Sequence, residues 1–565
     1  MQSNDMLARA GRLQSLVETI GDTFPQREMN TMRGTATPDA SSRGAAPVGE
    51  MKRSLTLTGV TMNAMALIAP GAFLWTTFAM QSSQSAGGSS TATEMWTGLV
   101  FALVLAFMTA YSYAELARIY PRAGTGSSYY FAEAALLDKD KAKHRRYARV
   151  SKITIGWISH LYYWIYPGIM VAMTATLLGY IVQTATGHTL GWGPLAAVAI
   201  VFAVVCGYIA FRGISGSTTT SIVINVVQLT ALLAFTVFAI VFRLSHPHHI
   251  GGYEAAGASS IVVPHSLLHI IYQSTIAILL LVGFESVTAL GAEAKRPQRD
   301  IKRGILLSLA IQGGVAYLFE YLAANYVVGG ATIKAVSSTG AKLSGYSAAA
   351  VDSAPIGTMI KNMAGGGGTG TLLALLMGAT VLLALVGTTL ACLNTGVRVT
   401  YSMGRDKEMP SIFGLLHGKF ATPYGGILVL AGVSALLGVY GVRSVDALTQ
   451  ITLASNTGTF LVYGMTCYIT IVAFAGRHDR HVFKHFAVPA IGLIMNIGEL
   501  FGVIYLAIKS GGSASTDAYV ALAVVGAWIV AGAAWVLLNP KMRGTKLLHD
   551  PGKNPVIDSG ASGSV

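Results

Sequence analysis

Charge is what this chain has least of: Asp, Glu, Lys and Arg make up 11% of its 565 residues, against 53% hydrophobic. With a mean hydropathy of +0.56, so apolar a composition excludes a soluble globular enzyme of this length. Cysteine is scarcer still. Cys206, Cys392 and Cys467 lie inside or at the end of apolar stretches, with no paired spacing and no histidine neighbours of metal-ligand type, so neither a disulfide framework nor a metal site is expected. No nucleophile with a partner base, no metal-ligand set and no phosphate-binding glycine loop occurs, which argues against an enzyme and against a bound cofactor. The amino-terminal segment holds no apolar core of signal-peptide length.

What the chain has in abundance is long apolar runs. A bilayer crossing needs about 20 apolar residues, and such runs fall near 57–80, 95–117, 153–184, 193–211, 219–242, 273–294, 304–328, 371–397, 425–441, 446–475, 487–508 and 517–538, about twelve in all. The fold class expected is an all-α polytopic membrane protein. The net charge of +14 does not point to nucleic acid, because the basic residues gather in the tails and in alternate short connections: 118–152, 295–303, 398–419 and 477–484. Those connections, and both termini, are expected in the cytoplasm, with the protein in the cytoplasmic membrane. The segments 1–52 and 541–565 read as disordered tails. Of the opposite connections, 244–272 reads as an external loop whose His246, His248 and His249 are merely solvated, and 329–370, rich in Gly, Ser and Ala, as a flexible loop.

Two runs carry the mechanism. In the sixth, Glu285 stands beside Gly283 in the middle of an apolar segment; a carboxylate there costs a few kcal/mol against lipid, so it is expected to face a polar pathway or cavity. In the first, Pro70 and Gly71 interrupt Leu67-Ile-Ala-Pro-Gly-Ala-Phe73 at mid-membrane. A break there would leave the backbone amides of Gly71, Ala72 and Phe73 at the positive end of a half-helix, close to Ala69, where a carboxylate is welcome. A simple proline kink is the alternative. Interruptions in corresponding spans of two halves mark an inverted-repeat transporter with its site at the repeat interface. Carbonyls freed at Leu281, Val282 and Gly283 would accept from an ammonium group, so the pair of breaks suits an α-amino acid. Glu285 buried in this way is positioned to exchange a proton, or else serves only to hold the sixth helix against the first.

The residues also resemble a known family. Gly283-Phe-Glu-Ser286 followed by Glu293-Ala-Lys-Arg-Pro-Gln-Arg-Asp-Ile301 is similar to the sixth-span signature of the amino acid, polyamine and organocation permease superfamily. Ser112-Tyr-Ala-Glu-Leu116 with Pro121-Arg-Ala-Gly124, Asn394-Thr-Gly-Val-Arg398, Gly404-Arg-Asp-Lys-Glu-Met-Pro410 and Thr422-Pro423 agree in order, over about residues 52–540. The resemblance implies a LeuT-type architecture: a first five-helix repeat at 53–243, a second at 273–476 and two further helices at 477–540. Ser54-Leu-Thr-Leu57 and Gly156-Trp157 look like the bacterial putrescine importer and amino acid permease branch. Tyr162 stands where that branch carries an acid, which favours an amino acid over a diamine. Gln228 replaces a fifth-span lysine that substitutes for sodium in many members, and Leu279 replaces an aromatic gate, leaving Phe73, Trp75 or Phe284 to take that part.

The function expected is secondary import of an amino acid by alternating access, coupled to protons through Glu285, with Leu279 and Phe284 at the gate. A polyamine importer, an amino acid exchanger and a transporter-like nutrient sensor are the alternatives. Thr388, Thr389 and Asn394 offer oxygens for a sodium ion instead, His160, Glu320 and Glu499 are weaker proton-relay candidates, and Glu115 with Arg118 reads as an inner gate or loop anchor. The partners expected are a small-molecule substrate, a proton and the lipid bilayer.

Overall fold

The structure, a computed structural model, describes residues 55–539 except 69, 122–126, 138–143, 214–217, 247–261, 292, 325–332, 338 and 421. The two tails, His248 and His249 lie outside the described residues. Twelve helices among the described residues are long and apolar enough to cross a membrane: Leu57–Ser83, Ala92–Ile119, Arg145–Thr186, Trp192–Phe211, Thr220–Ser245, Leu267–Leu290, Pro297–Leu322, Gly368–Arg405, Tyr424–Gly441, Val445–Phe474, Phe483–Lys509 and Gly512–Leu538. We number them as spans one to twelve. Their ends follow local chemistry. Ser266 and Ser444 cap the sixth and tenth spans by accepting from His269 and Ala447 amides, Pro297 occupies the first turn of the seventh, and Gly187 closes the third at φ +79°.

The packing is that of two interlocked five-helix sets. The first span packs on the seventh as the sixth packs on the second; the third packs on the ninth as the eighth packs on the fourth; and the third meets the tenth as the eighth meets the fifth. The corresponding pairs two and seven, three and eight, and four and nine pack on each other. A five-span offset that maps contacts onto contacts is what a pseudo-twofold repeat produces. Each set also places short helical structure between its second and third spans, Ser128–Leu137 in the first and Tyr346–Ala349 with Pro355–Met363 in the second. Among the described residues the sixth span breaks: it runs as Leu267–Ala277, a tighter turn over Ile278–Leu280, and a second tight helix at Phe284–Leu290. The first span is helical over Leu57–Ile68 and Pro70–Ser83, and the interruption expected at 69–72 falls partly on residue 69, outside the described residues.

Three sequence expectations are corrected. The third helix begins at Arg145, so Arg145, Arg146, Arg149 and Lys152 belong to it rather than to a loop, and Lys152 is fully buried. The sixth begins at Leu267, six residues before the expected 273, because His269 and Gln273 join an apolar segment capped by Ser266. Segment 333–370 is not a flexible loop: it holds a two-stranded hairpin, Lys334–Val336 against Lys342–Ser344, and a helix whose Ile356, Met359, Ile360 and Met363 are buried. Those four recur at helical spacing, a pattern that the glycine and serine around it obscured.

Candidate functional site

The sixth-span break packs on the first span. At Gly283 the backbone takes φ +121°, and a Cβ built there would lie 2.8 Å from Leu67 Cγ and 3.0 Å from the Leu67 carbonyl carbon. Only glycine allows this combination of dihedral and approach. Pro70 has no amide hydrogen for the Ala66 carbonyl, which accepts from the Thr388 hydroxyl at 3.0 Å instead, and nearby carbonyls of the same span accept from side chains too: Asn225 donates to Met62 O at 2.8 Å and Gln312 to Met65 O at 3.1 Å. Freed backbone inside a membrane is tolerated only when it is satisfied in this way. On the sixth span no donor among the described residues reaches the carbonyls of Leu281 or Val282, whereas the Gly283 carbonyl accepts from the Ser286 amide at 3.1 Å and hydroxyl at 2.6 Å.

Glu285 is 1% exposed. Its Oε2 accepts from the Tyr463 hydroxyl at 2.8 Å and from the Gly283 amide at 3.1 Å, so a side chain of the tenth span and the backbone of the break hold one oxygen. Its Oε1 has no partner among the described residues. Aromatic rings surround it. Phe284 packs against Tyr463 at 5.3 Å and Tyr113 at 6.1 Å, and Tyr113 meets Tyr463 edge-on at 5.9 Å. On the third span Tyr162 contacts Tyr163 and Tyr166, and its hydroxyl lies near the Glu285 carboxyl. Tyr166 bridges the first and sixth spans, its ring tilted against Phe73 at 5.5 Å and its hydroxyl donating to Leu279 O at 3.4 Å. Phe73, Leu279, Leu281, Val282, Gly283 and Phe284 are thereby gathered around one buried centre, closed on all sides.

Other candidates fall elsewhere. Ala69 lies outside the described residues, and of Ala72 only the helical backbone is described. Gly71 faces the fifth span, where Gln228 Cγ would sit 2.8 Å from an added Cβ; both polar atoms of the Gln228 side chain lack a partner among the described residues. Trp75 packs on Tyr180 and on Gly357 of the helix Pro355–Met363, away from Glu285. Thr388 and Thr389 spend their hydroxyl protons on Ala66, Ala384 and Leu385 carbonyls. His160 bridges Gly156 O and the Thr400 hydroxyl, Glu320 accepts from Gln81 at 2.8 Å, and Glu499 from Ser274. Glu115 and Arg118 do anchor: Glu115 receives Arg118 at 2.7 Å, Lys302, and His485 at 3.4 Å, and Arg118 reaches Asp479 at 3.2 Å. Sequence reasoning missed Tyr463 and Tyr113, which sit among many membrane aromatics with nothing in their local pattern to single them out.

A match to the family described as amino acid permease extends over residues 54–530. The chain belongs to the amino acid permease family. As a permease it is a transporter and not an enzyme, a multi-pass membrane protein that handles a small-molecule substrate of the amino acid or polyamine kind. Curated relatives include the low-affinity putrescine importer PlaP of Escherichia coli (strain K12), 26% identical over 467 residues that cover 80% of this chain and 88% of the relative. The branched-chain amino acid permease BcaP of Bacillus subtilis (strain 168) is 23% identical over 81% of this chain and 88% of its own, and the methylthioribose transporter of the same organism is 23% identical over 72% and 80%. Gly283-Phe-Glu-Ser286, within the matched residues, coincides with the break at which Glu285 is held.

Proposed function

We propose that this permease imports an amino acid across the cytoplasmic membrane by alternating access, with a proton carried on Glu285. The observation that carries the reading is the grip on Glu285, one oxygen held by Tyr463 and the Gly283 amide and the other without a partner among the described residues. A carboxyl so placed joins three parts: the tenth span, the sixth-span break and, through Gly283 against Leu67, the first span. The substrate carboxylate docks on the amides of Gly71, Ala72 and Phe73 at the start of the second half-helix. Its ammonium docks on the carbonyls of Leu281 and Val282. Opening toward one side exposes Glu285 together with the substrate, so proton and substrate exchange with the same compartment. Phe284 on one side and Phe73 with Leu279 on the other close the chamber. The face with the basic connections is cytoplasmic, both termini lie there, and the chain divides into repeats at 53–243 and 273–476 with 477–540 appended.

One observation favours a second reading. Tyr113, Tyr162, Tyr163, Tyr166, Tyr463 and Phe284 around a lone carboxyl form a setting that also suits an organic cation, as in import of a diamine.

The test is uptake of labelled amino acids and putrescine into proteoliposomes under a proton gradient, a sodium gradient or neither, for the native chain and Glu285→Gln. Amino acid uptake that needs the proton gradient, and loses that need in the variant, is expected. Sodium dependence would move coupling to Thr388 and Thr389, counterflow without any gradient would make the protein an exchanger, and uptake of putrescine alone would establish the second reading.

A further inference from the structure

A second cluster of charge lies inside the protein, on the basic face, and the transport cycle described above makes no use of it. Lys152 has no exposed surface; its Nζ lies 2.7 Å from Glu133 Oε2 and 2.8 Å from Asp406 Oδ2 and over the rings of Tyr129 and Tyr130. Tyr129 donates its hydroxyl to Asp406 at 2.9 Å, and Arg405 donates to the Tyr130 hydroxyl at 3.3 Å. Two residues beyond Asp406, Glu408 is fully buried as well. The Trp535 indole fixes its backbone carbonyl at 2.9 Å, yet among the described residues the Lys152 ammonium pairs with Glu133 and Asp406 and not with Glu408, and Tyr129, the polar neighbour of Glu408, gives its hydroxyl proton to Asp406. Three carboxyls therefore face one ammonium in a place closed to solvent. Arg405 lies at the exposed edge of the cluster, where solvent screens it; ionising all three carboxyls therefore leaves an excess of buried negative charge that burial makes costly, and one proton on Glu408 removes it at the acid that, among the described residues, makes no ion pair with Lys152.

The cluster holds the helix Ser128–Leu137, which carries Tyr129, Tyr130 and Glu133. The other end of that helix touches the site. The Ser128 hydroxyl bonds to Tyr113 at 2.5 Å and to Thr466 at 2.8 Å, and Ser127 receives the Thr288 hydroxyl at 3.2 Å, one turn beyond Glu285 on the sixth span. The helix thus bridges spans two, six and ten to spans three and eight, and it closes the basic side below Phe284.

We propose that Glu133, Lys152, Asp406 and Glu408 form a second proton-binding site, separate from Glu285, which when loaded on Glu408 keeps helix 128–137 docked and this side of the pathway shut. The proposal rests on the reading of the basic face as cytoplasmic only for its physiological sense: a cytoplasm turning acid would hold the permease closed. The groups facing Glu408 are Lys152, Asp406, Glu133 and Tyr129. Burial pushes the Glu408 carboxyl up to about 8, against the pull of Lys152. A group raised in the closed state binds more protons there than when solvated, so closure is favoured fully at low pH and weakens as pH climbs toward 8 and beyond. With a closed value of about 8 and an ordinary carboxyl value when open, the opening constant rises about tenfold from pH 7 to pH 9.

Hydrogen–deuterium exchange of the full chain in lipid nanodiscs reads this without any substrate, so failure of the uptake assay leaves it intact. Peptides covering 128–137, scaled for the intrinsic exchange rate, are expected to lose protection about tenfold between pD 7 and pD 9, while peptides covering 346–363 do not change. Glu408→Gln, which keeps the shape and removes the charge, should stay protected at both values, within twofold. Glu408→Leu, with thermal unfolding to confirm that each variant folds, is expected to match it. No change in the native chain, or the same change in both variants, overturns the proposal.

Discussion

Tyr463→Phe separates a charged Glu285 from a neutral one. The substitution removes one hydroxyl, 2.8 Å from Glu285 Oε2, and keeps the ring that packs on Phe284 and Tyr113. Glu285 then retains the Gly283 amide as a donor, at 3.1 Å. A hydrogen bond to a charged group contributes about 1.5–3 kcal/mol and a neutral one about 0.5–1.5. In rate these are about ten- to 150-fold and two- to tenfold. If transport passes through a state in which Glu285 is ionised and still held by Tyr463, proton-driven uptake falls by the larger factor, while counterflow, in which the proton need not leave, falls by the smaller. The assay is a double-mutant cycle in proteoliposomes with Glu285→Gln. In the Glu285→Gln background, where the hydroxyl can meet only a neutral amide oxygen, its loss should cost no more than the smaller factor, about two- to tenfold, in either mode. An undiminished effect of Tyr463→Phe in that background would show that the hydroxyl acts elsewhere, and the coupling role assigned to the pair would fail.

Gly283→Ala is expected to destabilise the protein by about 2–6 kcal/mol, from the dihedral and the contact with Leu67 together, and to abolish uptake; Gly71→Ala meets only the movable Gln228 and Leu232 side chains and should cost markedly less, both read by thermal unfolding in detergent. Lys152→Met leaves Glu133 and Asp406 buried without their ammonium and should cost about 3–5 kcal/mol, recovered in part by adding Asp406→Asn; an unchanged melting temperature would contradict the buried ion pairs. Glu320→Gln and Glu499→Gln each keep a group able to accept from Gln81 or Ser274, and proton-driven uptake should survive both; its loss in one would move the coupling proton there.

Much of the transport site was legible as punctuation. Pro70 with Gly71, and Gly283, interrupt apolar runs that otherwise have every reason to stay helical, and Glu285 is an acid in a place where acids are expensive. Tyr463 and Tyr113 were not legible, because a membrane tyrosine has the same local pattern whether its hydroxyl meets a carboxyl, a serine or a lipid headgroup. Lys152 was misread for a related reason. It follows Arg145, Arg146 and Arg149 in a stretch that reads as one basic loop, and only its partners, far away in sequence at Glu133 and Asp406, turn it inward.

The sequence by itself determined that this chain is a bundle of about twelve membrane helices, that the sixth of them breaks, and that this break carries a carboxyl, since hydropathy, glycine and isolated charge are local and one-dimensional signals. Tertiary structure decided which hydroxyl holds Glu285, that Gly71 serves close packing with the fifth span, and that a lysine and three acids from three segments share one buried pocket. Those outcomes depend on which helix faces meet, and in a chain this uniformly apolar the hydrophobic pattern marks no face of a helix for a particular partner.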